Sequence, residues 1–266
     1  MNTKRVYESF KKIREVAVLL KRGEKMKGIA IETAKELVAK RFPGCETALL
    51  AGSVVRGEAT STSDLDLVVI DNHIMSSYRE SFIEKGWPVE LFVHNSDSYQ
   101  AYFKSDCDRG QPSLPNMVAE SIVLTGHQEA EKIKEEARQL LAKGPASWTP
   151  KEAEAKRYFL TDVLDDFIGA NNRTEELFIA NALAGQLGEF VLRINGQWTG
   201  TSKWLVRSLK RYDKEFAEQF LAAFEHYYSA REKDAVIQLA EAVLQPYGGR
   251  LFDGFTLGKE GIKDGR

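Results

Sequence analysis

The chain lacks the features that would assign it to a membrane or an oxidising compartment. Its 266 residues hold two cysteines, Cys45 and Cys107, too few for a disulfide framework. No unbroken apolar run is long enough to cross a bilayer. The opening residues, MNTKRVYESFKKIREVAVLL, mix charge with apolar positions at helical spacing and contain no continuous signal core. A cytoplasmic location is therefore expected, with no export and no membrane partner. A basic excess is also missing: 37 Lys+Arg stand against 39 Asp+Glu, a net charge of -2, which disfavours a long nucleic acid as partner but allows a local basic patch. His73, His94, His127 and His226 show no metal-ligand spacing, and neither cysteine lies in a CxxC pair. They read as structural residues. There is no internal repeat and no low-complexity tract.

What remains is the composition of a soluble globular protein, 43% hydrophobic and 29% charged, at a length that suits two modest domains better than one core. Val6, Phe10, Ile13, Val16, Ala17 and Leu20 recur at helical intervals, as do Ile29, Thr33, Ala34, Leu37 and Val38 ahead of the stop RFPG. Three short runs, ETALLAG, DLDLVVI and VELFVHN, read as strands of a small sheet. A charged amphipathic helix, HQEAEKIKEEARQLLAK, ends at Gly144 and Pro145. Thr149 then suits an N-cap, Pro150 a first helical position, and two glutamates follow within a turn. Four further segments carry the 3.6-residue period with no convincing strand, so this half reads as a helical bundle. The expectation is an α+β chain: residues 1–146 with the sheet and residues 147–266 all helical, with a frayed tail at GKEGIKDGR.

The stretch AGSVVRGEATSTSDLDLVVI, residues 51–70, carries the chemistry. Residues two apart on a strand share a face, so Asp64 and Asp66 project together while Leu65, Leu67 and Val69 face the other way. Two like charges held side by side on an apolar sheet are costly unless something compensates them, and a divalent cation would do so. The simpler alternative is a strand-entry cap at Asp64 and an ion pair at Asp66. Gly52 allows close backbone approach, Ser53 adds a hydroxyl and an amide, and the turn leads into a short helical segment suited to phosphate.

The spacing of Gly52-Ser53, Arg56-Gly57 and Ser63-Asp64-Leu65-Asp66-Leu67 resembles the signature of the nucleotidyltransferase superfamily, which includes DNA polymerase beta, kanamycin nucleotidyltransferase and the streptomycin/spectinomycin adenylyltransferases. Glu90, in WPVELFVHN, stands where that family has a third carboxylate on a following strand. The resemblance covers residues 28–125, with a weaker likeness of layout beyond. It implies a mixed sheet with helices, two magnesium ions on Asp64, Asp66 and Glu90, and a nucleoside triphosphate, ATP first, held at Gly52 and Ser53. It also implies two roles for Glu90, metal ligand and general base toward the acceptor hydroxyl.

Four further residues each have two readings. Arg56 either contacts phosphate or pairs with Glu58 or Asp64. Lys203, beside Trp204, either reaches the nucleotide or simply begins a helix. Asp162 and Asp166 lie one turn apart, bordering an arc of Phe159, Leu160, Val163 and Phe167. They suit a cationic acceptor such as an aminosugar, or else form a solvated face paired to Arg157 or Arg173. The expected activity is transfer of a nucleoside monophosphate to a hydroxyl of a small polar, aminoglycoside-like acceptor, with the helical half as acceptor wall. Adenylylation of a protein or RNA end is the second reading, and a non-catalytic, antitoxin-like nucleotide binder the third. Oligomeric state and base preference are open.

Overall fold

The structure, a computed structural model, describes residues 24–258. The expected helix at Val6–Leu20 and all of the tail except Gly258 lie outside the described residues. The chain divides into two compact units, Met1–Lys143 and Gly144–Arg266.

The first unit opens with a helix over residues 24–41 (α1). It continues as β1 Thr47–Ala51, α2 Gly52–Arg56, β2 Leu65–Ile70, β3 Tyr78–Glu84 and β4 Trp87–His94. Then come α3 Ser96–Asp108, α4 Ser113–Glu120, β5 Ile122–Thr125 and α5 His127–Lys143. The five strands form one mixed sheet in the order β3-β4-β2-β1-β5, with β2 and β4 parallel and the other neighbours antiparallel.

Alternation along the central strands supplies both faces of the sheet. Leu65, Leu67 and Val69 of β2 join Val89, Leu91 and Val93 of β4 in a core with Ala30, Ala34, Leu37 and Val38 of α1. Val68 and Ile70 pack on the opposite face with Leu49, Tyr99, Phe103, Leu114, Val118, Ala130 and Ile133. Each large apolar side chain so buried contributes roughly 1.5–3 kcal/mol. By parity Asp66 and Glu90 belong to the second face, at the end where both parallel strands begin.

The sheet has two strands beyond the three expected from sequence. β3, YRESFIE, is an edge strand with no fully buried side chain, so it lacks the apolar alternation that marks a half-buried strand. Its position is fixed by the two-residue turn Lys85-Gly86, where both φ angles are positive (49° and 82°) as a tight hairpin of the I′ kind requires. β5 is four residues, three of them a continuous apolar run, that periodicity cannot distinguish from helix.

The second unit consists of α6 Pro150–Gly169, α7 Arg173–Ile194, α8 Lys203–Tyr212, α9 Lys214–Ala230, α10 Asp234–Leu244 and a short 3-10 turn, Gln245–Tyr247. Its core is built by Leu160, Leu164 and Phe167 of α6, Leu183, Leu187 and Phe190 of α7, Phe220 and Tyr227 of α9 and Val236 of α10. α7 is long and apolar enough by composition to span a bilayer, although charged residues interrupt its apolar runs. Leu183, Leu187 and Leu192 are instead fully enclosed in the core of the unit.

The start of α6 takes the capped form its sequence predicts. The Thr149 hydroxyl accepts from the Glu152 N–H (3.2 Å), and the Glu152 carboxylate accepts from the Thr149 N–H (2.7 Å). Replacing Thr149 with Ala is expected to lower stability by about 1 kcal/mol, and Thr149→Ser to retain most of it. Urea unfolding followed by circular dichroism measures both, and an unchanged midpoint in the alanine variant would contradict a stabilising cap.

Candidate active site

The site is assembled where β1 ends and β2 and β4 begin. Parallel register sets Asp66 directly beside Glu90, and Asp64 immediately precedes β2. One carboxylate oxygen from each of Asp64, Asp66 and Glu90 lies within 4.8 Å of the others. All three side chains are partly buried.

The turn after β1 closes over this cluster. Gly52 has φ of 82°, and a Cβ built there would fall 1.8 Å from Asp66 Oδ2, so no other residue fits without moving the carboxylate. Ser53 donates its hydroxyl to Ser63 Oγ (2.9 Å), which also accepts from the Thr60 N–H (2.8 Å). These bonds tie the Gly52-Ser53 turn to the loop that delivers Asp64.

Two unit charges about 5 Å apart repel by roughly 3 kcal/mol at an effective dielectric of 20, and by less where water reaches them. The consequence appears at Asp66, whose pKa is raised to about 6 by burial first, then by Asp64 and Glu90, with Arg56 opposing and Glu120 adding to the rise. A hard-oxygen donor set of three carboxylates, under mutual repulsion and held by backbone, fits a divalent metal such as magnesium.

Two residues that sequence reasoning passed over complete the site. Arg79 of β3 donates Nη2 to Glu90 Oε1 (2.6 Å), with its guanidinium 4.9 Å from the centre of the Phe92 ring. Glu120, the last residue of α4, accepts from the Arg56 guanidinium. Burial raises its pKa, while Arg56 and the Gly52 N–H act against that rise. Arg79 lies on the strand the sequence did not reveal, and its proximity to Glu90 follows from the β3–β4 hairpin. Glu120 meets Arg56 across 64 residues, a contact that no local pattern announces.

The other candidates are placed as follows. Arg56 pairs with Glu58 (3.0 Å) as well as with Glu120. Lys203 begins α8 in the helical unit, with Nζ 6.0 Å from the centre of the Trp204 ring. Asp162 and Asp166 are exposed on α6 beside the buried Val163 and Phe167. The pairing to Arg157 or Arg173 considered for them is not made. Arg157 donates to the carbonyls of Gly248, Gly249 and Arg250, and Arg173 lies against Glu176.

Because the folded-state pKa of Asp66 lies above the ordinary carboxylate range, the metal-free folded protein binds a proton there that the unfolded chain has already released. That contribution to stability is complete below about pH 4 and is lost as pH rises through 6. Asp66→Asn removes the dependence. In chelator, the variant is expected to gain on the wild type between pH 4.5 and 7.5 by up to about 2 kcal/mol in urea unfolding. Parallel pH profiles for the two proteins would contradict the buried, repelled carboxylate.

Residues 31–160 match the family model of the nucleotidyltransferase domain. No curated protein matches the chain. Among solved structures, a nucleotidyltransferase-like protein from Exiguobacterium sibiricum 255-15 is similar over 81% of this chain and 74% of that one, at 11% identity and a TM-score of 0.45. With the Gly52-Ser53 turn, the Asp64 and Asp66 pair and Glu90 all inside the matched span, residues 31–160 of this chain are a nucleotidyltransferase domain.

Proposed function

We propose that the protein is a metal-dependent nucleotidyltransferase that moves a nucleoside monophosphate, AMP from ATP, to a hydroxyl of a small polar acceptor and releases pyrophosphate. The observation that carries this reading is the trio of carboxylates within 4.8 Å of one another, beside the Gly52-Ser53 turn. In this reading Asp64, Asp66 and Glu90 hold two magnesium ions. Bound there, the metal neutralises the reacting phosphate and lowers the pKa of the attacking hydroxyl. The acceptor oxygen forms a bond to the α-phosphorus as the bond to pyrophosphate breaks, and the hydroxyl proton passes to Glu90 or to solvent.

The remaining residues bind and orient. The Gly52-Ser53 turn and Arg56 hold the triphosphate, and Lys203 is a candidate nucleotide contact. Residues 1–146 serve as the catalytic domain and residues 147–266 as the acceptor-binding domain. Asp162 and Asp166 supply exposed negative charge for a cationic acceptor of aminoglycoside type, a role supported by their exposure and by the engagement of Arg157 and Arg173 elsewhere. The free thiols of Cys45 and Cys107, and the use of a nucleoside triphosphate, support a cytoplasmic site of action.

The activity is tested by pyrophosphate release from each nucleoside triphosphate against aminoglycosides, lincosamides, proteins and RNA, with mass spectrometry of the products. A mass increase of one nucleotide on a small acceptor supports the proposal, and an increase only on protein or RNA replaces the acceptor class. Asp64→Asn is expected to abolish transfer with the fold intact, and turnover like that of the wild type would end the metal-cluster reading. Glu90→Gln is expected to slow turnover by about 10²–10⁴-fold with nucleotide affinity retained, as loss of a general base does. Equal loss of affinity would make Glu90 a metal ligand only. Asp162→Asn and Asp166→Asn are each expected to raise the acceptor KM by about tenfold or more, at unchanged KM for the triphosphate, as loss of a charge-assisted hydrogen bond does. Variants that treat a cationic acceptor as the wild type does would remove these residues from the acceptor site.

A further inference from the structure

A cation beside the Gly52-Ser53 turn that suits a phosphate is already engaged by a carboxylate of the chain itself. Glu120 accepts from the Arg56 guanidinium. A forked cation recognises phosphate oxygens as readily as carboxylate oxygens.

The backbone beneath Glu120 is fixed while its side chain is only partly enclosed. The carbonyl of the next residue, Ser121, accepts from the ammonium of the buried Lys134, whose Nζ is also 3.4 Å from Ser121 Oγ. The Ser121 hydroxyl in turn donates to the Val118 carbonyl (2.7 Å). Beyond that clamp the Glu120 side chain is 28% exposed. It can therefore turn about its own torsions without disturbing α4 or β5. Its charge also adds to the negative field at Asp66, so withdrawal of Glu120 as a polyanion arrives would relieve the same cluster.

We propose that Glu120 is an internal stand-in for a donor phosphate: it holds Arg56 beside the Gly52-Ser53 turn in the nucleotide-free protein and is displaced by the triphosphate. It thereby sets the affinity of the site. The inference rests on the triphosphate reading of the previous section and deepens it, because the cost of displacing a charged competitor is part of every binding event. No covalent step is involved. Arg56 exchanges one anionic partner for another, and Glu58, 3.0 Å away, steadies it through the exchange.

The test uses the full chain, as wild type, Glu120→Gln, Glu120→Ala and Glu58→Gln, titrated calorimetrically with magnesium and one of three probes. These are a non-hydrolysable α,β-methylene ATP, inorganic tripolyphosphate and adenosine. Both Glu120 variants are expected to bind the ATP analogue and tripolyphosphate about tenfold more tightly, with adenosine affinity unchanged, as when one charge-assisted hydrogen bond no longer has to be surrendered. Glu58→Gln should change either affinity far less. A merely structural role would shift thermal stability without separating phosphate-bearing probes from the nucleoside. If the alanine variant does not fold, the isosteric Glu120→Gln decides. Equal or weaker triphosphate binding by the Glu120 variants, with the wild type binding normally, overturns the stand-in role and leaves the triphosphate reading in place. Absence of triphosphate binding in the wild type and in both Glu120 variants overturns both.

Discussion

Much of the first unit depends on one constraint: three carboxylates must share a few ångströms of space without a covalent tie between them. The parallel register of β2 and β4 meets it by setting Asp66 beside Glu90, and two-residue strand periodicity brings Asp64 to the same side. The repulsion that results is resisted by the apolar packing of the other face, where Leu65, Leu67, Val89 and Leu91 are fully enclosed. Core burial thus holds in place an arrangement that electrostatics alone would disperse. Sites that bind highly charged ligands commonly carry such strain in the free state and release it on binding.

Around that cluster the chain places charged groups of its own. Arg79 bonds to Glu90 from the edge strand, and Arg56 links Glu58 and Glu120 beside the Gly52 turn. These are partly exposed pairs, and each contributes little to stability by itself. Their importance is positional. Each fixes a charged group at the rim of the cluster before any ligand arrives, so fewer side chains need ordering on binding.

Sequence legibility varied with how local the cause of each feature was. The helical unit was readable because its apolar arcs repeat along single segments, and the Thr149 cap with Pro150 is a signal contained within four residues. β1, β2 and β4 were readable as apolar runs with turn residues at their ends. β3 was missed because an edge strand buries little and so needs few apolar residues, although the Lys85-Gly86 turn was a legible cue that went unused. β5 was missed because a run of three apolar residues and a threonine carries no period of its own.

By itself, then, the sequence determined the spacing of Gly52, Ser53, Asp64 and Asp66, because a turn and the strand that follows it fix one another within a few residues. Tertiary structure alone decided that Arg79 bonds to Glu90 and that Glu120 reaches across 64 residues to Arg56. Strand register and helix packing are set by the summed burial of many apolar side chains, and the polar groups they carry meet as a consequence. Pairings of that origin leave no mark in the spacing of the residues that make them.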